Sequence, residues 1–154
     1  MEIYERNINA SVRRDDDEHI ITKASLLDLN HNMRVEIKVN IKTRTIIEAK
    51  GQMVKSPFKM CGQTINHVKN MIGMKIERGI TRKLGEAFGR SSGCTHLLEL
   101  GTEAVRLSSN VLLGFETGDI EWRERRLPDE EFIEKAKGFL ANSCLPFKVE
   151  EESD

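Results

Sequence analysis

The stretch Met33–Ile41, "MRVEIKVNI", alternates strictly: Met33, Val35, Ile37, Val39 and Ile41 fall on one face, and Arg34, Glu36, Lys38 and Asn40 on the other. A period of two is the mark of a half-buried strand. On its N-terminal side, "HIITKASLLDLNHN" (19–32) is a β-branched run that ends in Asn30, His31 and Asn32, residues that favour turns. On its C-terminal side, "KTRT" (42–45) leads into "IIEAKGQMV" (46–54), where Ile47, Ala49 and Met53 keep even spacing. The expectation is a three-stranded antiparallel meander.

Beyond Pro57 the period changes. Ile65, Val68, Ile72, Ile76, Ile80, Leu84 and Phe88 recur at intervals of three and four, which is helical spacing. Gly73 and Gly79 interrupt the pattern, so it divides into one helix from Gly62 to Ile72 and a second from Ile76 to Phe88, with Gly89 as the stop. A third helix follows "GCTHLLEL" (93–100), carrying Leu97, Leu100, Ala104, Leu107, Val111 and Leu112 on one stripe. The fold class is therefore α+β, with a three-stranded antiparallel sheet covered on one face by helices. Residues 8–115 form that domain. Residues 116–154 form a charged connector, a C-terminal helix and an acidic tail; Pro128 with Asp129, Glu130 and Glu131 starts the helix, and Phe132, Ala136, Phe139 and Leu140 give it an apolar face.

Charge excludes several roles. The 154 residues carry 24 basic and 25 acidic side chains, for a formal net charge of -1, so no overall field draws the chain to nucleic acid or an anionic bilayer. No apolar run reaches the roughly 18 residues of a membrane span, and "MEIYERNINASVRR" lacks a secretory h-region, so the expected location is cytoplasmic. The odd set Cys61, Cys94 and Cys144 is expected to be thiols or ligands rather than a disulfide framework. The phosphate-binding, dinucleotide-binding, H-E-x-x-H and G-x-S-x-G signatures are absent.

Chemistry concentrates on a few side chains. Cys61 and Cys94 each follow a loop and precede a helical pattern, where unpaired N–H groups and the positive end of the helix dipole favour a thiolate. His96, two residues past Cys94, adds a nitrogen donor if the backbone there is extended; in a helix the two would diverge by roughly 200°. Thr95 and His96 are alternative caps for that helix. Asp28 and His31, at the first strand turn, are ordinary turn residues that can also ligate a metal. His67 reads first as a surface histidine. The plain reading of each thiol is a small buried apolar group.

At "VRRDDDEHIITKASLLD", "SPFKMCGQTINHVKNMIGMKI" and "GCTHLLEL" the sequence resembles an uncharacterised bacterial family of domains of unknown function marked by a G-C-T-H-L-x-E-L block. The likeness runs from Ile8 to Leu113 and implies no activity. A second resemblance is to the iron–sulfur cluster scaffold family, in which three strands precede the helices. Cys61 and Cys94 look like two of that family's cysteine positions. Its first cysteine has no counterpart in "LLDLNHNMRVEI", and its aspartate has no clear match, although Asp28 is nearby. Two cysteines and His96 are few for a labile cluster, so a single zinc or iron ion held by Cys61 and Cys94 with His96 or Asp28 is preferred.

The leading expectation is thus an accessory protein that binds a metal ion or an iron–sulfur cluster and works with a protein partner or a small-molecule ligand. The alternatives are a thiol-dependent enzyme, with Cys94 as nucleophile and His96 or His67 as base, and a non-catalytic interaction module.

Overall fold

The computed structural model describes residues 1–89, 93–118 and 127–149. One antiparallel sheet contains four strands rather than the expected three: β1 (Arg6–Arg14), β2 (His19–Asp28), β3 (Asn32–Asn40) and β4 (Ile46–Lys55), in that spatial order. The α+β class holds and the strand number is corrected. β1 escaped the sequence reading because Ile8, Ala10 and Val12, its inward set, are few and flanked by Arg6, Arg13 and Arg14. As an edge strand it remains largely exposed, so little selects for a strong apolar alternation.

The inner face of the sheet carries Ile20, Thr22, Ala24 and Leu26 from β2 and Met33, Val35, Ile37 and Val39 from β3, all buried. In β4 the buried residues are Ile46 and Ala49, whereas Ile47 is exposed. A register shift between Lys38 and Val39 accounts for this: Lys38 pairs with Glu48 while Val39 pairs with Ile46, leaving Ile47 as the extra residue of a bulge. Strict even spacing cannot anticipate such an insertion.

Helices cover this face. Lys59–Met71 winds as consecutive 3-10 turns and buries Val68 and Met71. It lies close over β4 at Gly51, where a Cβ would come 2.7 Å from Ile65 Cδ1 and 2.9 Å from Val68 Cγ2. The segment after it is not helical as far as Ile80. Instead Ile46 N–H donates to Met74 O (2.9 Å) and Ile76 N–H to Arg44 O (2.8 Å), fastening it to the start of β4. The expected helix from Ile76 therefore shortens to α1 (Ile80–Phe88), with Ile80, Leu84 and Phe88 buried.

Next comes α2 (Thr95–Thr117). Up to Ser108, α2 buries Leu97, Leu100, Ala104, Val105 and Ser108, while Leu107 is only half-buried. Ser108 Oγ donates to Ala104 O (2.8 Å), which uses its only hydrogen, so the 2.6 Å contact with Thr22 Oγ1 is donated by Thr22. Two hydroxyls thereby satisfy each other between β2 and α2.

The chain divides into two compact units, Met1–Ser109 and Asn110–Asp154. The second holds the last turns of α2, α3 (Asp129–Leu140) and a 3-10 turn at Leu145–Phe147. Its core is Leu113, Phe132, Ala136 and Phe147, with Leu127, Ile133 and Leu140 packed against it. Phe132 and Ala136 are buried as the helical spacing predicts, whereas Phe139 is exposed. No helix among the described residues is long and apolar enough to cross a membrane.

Candidate functional site

Gly93 explains the approach to α2. A Cβ there would lie 1.5 Å from Phe88 O, so only glycine lets the chain pass over the last carbonyl of α1. Cys94 N–H then donates to that same oxygen (2.9 Å), and Leu98 N–H donates to Cys94 O (3.0 Å). Cys94, rather than Thr95 or His96, is thus the residue from which the helix starts, and His96 lies within the first turn.

The turn between β2 and β3 supplies the facing groups. Asp28 N–H donates to His31 O (3.0 Å), closing the hairpin, and Asp28 Oδ1 accepts the N–H groups of Asn30 and His31, both at 2.8 Å. The same oxygen is 2.9 Å from His31 Nδ1. An aspartate accepting from the backbone two and three residues on is what makes "DLNH" a turn. The ring of His31 lies with its centroid 4.0 Å from that of His96, tilted by 42°.

Arg6 closes the cluster from β1, where it pairs in register with Asp28. Its Nε and Nη2 both lie 2.9 Å from Asp28 Oδ2, its Nη2 lies 3.3 Å from His96 Nε2, and its Nη1 lies 3.6 Å from Glu99 Oε2. A guanidinium can only donate, so in this arrangement His96 Nε2 accepts and the imidazole is neutral. Burial also disfavours the imidazolium of His96, as do the neighbouring His31 and Arg6, and together they lower its pKa despite Glu99 and Asp28.

The Asp28 side chain is fully buried. Burial alone would raise its pKa, but the Asn30 amide, the His31 ring, Tyr4 and the His31 amide outweigh it and hold the carboxyl well below the usual carboxylate range.

Of the four residues expected to hold a metal, Asp28 and His96 meet in this cluster, joined through His31 and Arg6. Cys61 and Cys94 are half-buried, and neither Sγ has a hydrogen-bond partner among the described residues. No group of three or more His, Cys, Asp or Glu side chains among the described residues is arranged to hold a metal ion. Asp28 in particular has both oxygens occupied by protein donors. His67 is half-buried with Nδ1 unpartnered, and Cys144 is exposed.

Sequence reasoning missed Arg6 and read Glu99 only as a capping acid for a helix begun at His96. Glu99 was visible as the acid three residues after His96, one helical turn on; Arg6 had no local signal, because only the pairing of β1 with β2 brings it to Asp28.

A family model described as "Protein of unknown function (DUF2889)" matches residues 13–108. No curated protein and no solved structure matches.

Proposed function

The chain belongs to the DUF2889 family, described as being of unknown function, and from that premise we propose that it is a non-catalytic binding domain with a proton-responsive latch between sheet and helices. The latch consists of Asp28, His31, His96, Arg6 and Glu99. The observation that carries the reading is the contact of His96 with two potential cations at once: the His31 ring 4.0 Å away and the Arg6 guanidinium 3.3 Å from Nε2.

Protonating His96 removes the acceptor that Arg6 uses and sets a positive group directly against the Arg6 guanidinium, with Asp28 and Glu99 in opposition. The sign follows from the lowered pKa. The unfolded chain takes up a proton at His96 near the ordinary value of about 6.5, before the folded chain does. Its contribution to stability is therefore complete above that pH and is lost as pH falls through the lower native value.

The test is urea unfolding of the wild type and of His96→Phe between pH 7.5 and 5.5. The wild-type midpoint is expected to fall on acidification, and that of His96→Phe to fall distinctly less. Equal slopes would remove His96 as the responsive group.

A second reading keeps a metal ion, zinc or iron, with His31 and His96 as donors. It draws on the hydrogen bond that His31 Nδ1–H donates to Asp28 Oδ1, since carboxylates commonly orient metal-ligating histidines in this way. Arg6 beside His96 Nε2 weighs against it, as a cation at that nitrogen opposes another. Stoichiometric zinc uptake that is lost in His31→Ala would favour the metal reading over the latch.

A further inference from the structure

The face of the sheet opposite the helices carries a groove of about 450 Å³, within the roughly 300–1,000 Å³ range of small-molecule sites. Strand register builds it from two rows of side chains. One row runs Asn9, Ser25, Arg34, Gln52, and the next runs Ser11, Lys23, Glu36, Lys50, each crossing all four strands. The outward positions that read as the solvent side of the "MRVEIKVNI" alternation are thus the walls of a concavity.

The rows differ in how far they satisfy themselves. In the second, Lys23 Nζ lies 3.1 Å from Glu36 Oε2, and Lys50 is drawn to Glu48 at 3.1 Å. In the first, none of the four side chains has a hydrogen-bond or ion-pair partner among the described residues. Arg34 therefore offers a complete guanidinium fork flanked by a serine hydroxyl and a glutamine amide. Three cations and one acid line the groove, a local positive excess in a chain whose formal net charge is -1.

We infer that this groove binds a small organic anion through a carboxylate or phosphate group held by Arg34. A planar guanidinium matches either group with two parallel hydrogen bonds. Ser25, Gln52 and Asn9 supply further donors and acceptors along the row, and Lys23 and Lys50 supply the field. No aromatic side chain lines the groove, which removes the stacking platform that a single-stranded nucleic acid would need. The inference rests on the reading of the chain as a binding domain, but it uses none of the latch residues, so the two can fail separately.

The experiment is a titration of ¹⁵N-labelled full chain with inorganic phosphate and, separately, with glutarate at constant ionic strength and pH 7.5. Saturable shifts at the Ser25, Arg34 and Gln52 amides are expected with at least one probe. Affinity should fall at least tenfold in Arg34→Gln, an exposed change that leaves the core untouched, and stay unchanged in His96→Phe. Which probe saturates identifies the group recognised. The absence of saturable shifts with both probes, equal affinity in Arg34→Gln, or tighter binding of a short single-stranded oligonucleotide than of either anion would overturn the inference.

Discussion

Asp28→Ala is expected to lower the unfolding free energy at pH 7 by about 2–4 kcal/mol, because it strips the acceptor from several buried donors at once. The Asn30 and His31 amides, the His31 Nδ1 and the Arg6 guanidinium all converge on this carboxylate, whose side chain is fully buried. Arg6 is one-third exposed and recovers some hydration, which keeps the cost below that of stranding a wholly buried cation. Asp28→Asn should cost less, since one oxygen still accepts from the turn amides, and only the bonds from Arg6 are lost. Acid titration separates the charge from the turn. The native carboxyl is held below its ordinary value of about 3.9, so its contribution is complete above that pH and is lost as pH falls towards the native value. Between pH 5 and pH 3 the wild type should therefore lose more stability than Asp28→Asn. Equal losses would mean that Asp28 acts only as a turn residue.

Phe88→Ala is expected to cost about 3–5 kcal/mol, the range for removing a buried aromatic side chain. Phe88 is fully buried at the end of α1, and its ring reaches α2 at Gly101, where a Cβ would lie 3.3 Å from Phe88 Cε2 and 3.7 Å from Met71 Sδ. The Phe88 ring and the Met71 side chain, at the end of the 3-10 segment, thus both reach the same glycine of α2. The cavity left by alanine lies between elements that the Gly93 turn already fixes, and they have little freedom to collapse. Urea unfolding at pH 7 reads the loss; a change below about 1 kcal/mol would show that the elements close over the gap.

Hydrophobic period served well wherever a surface is half-buried and regular. β3 and its inward set, the apolar positions of α1 and the Leu97–Leu100–Ala104 stripe of α2 follow from it. It failed where another constraint took over. β1 is an edge strand, so its faces are too exposed to demand alternation; the β4 bulge moves Ile47 to the outside; and a hydrogen bond to Arg44, just before β4, holds Ile76 outside the helix despite its helical spacing.

The site was legible to the extent that it is local. Asp28 and His96 were singled out as candidates, and His31 was noted beside Asp28 as a turn residue able to ligate a metal. What sequence could not supply was the partnership. Arg6 lies 22 residues from Asp28 and 90 from His96, and only strand pairing brings it between them. Its arrival changes the local chemistry, because it sets a guanidinium at His96 Nε2 and occupies the second carboxylate oxygen of Asp28.

The most direct test of the latch is an NMR-monitored pH titration of the His31 and His96 ring protons in the wild type and in Arg6→Gln. The account predicts that His96 titrates below the ordinary histidine value of about 6.5, that the His31 ring senses the same transition across their 4.0 Å separation, and that the midpoint rises in Arg6→Gln. A His96 midpoint at the ordinary value in both proteins, with no matching response at His31, would contradict it.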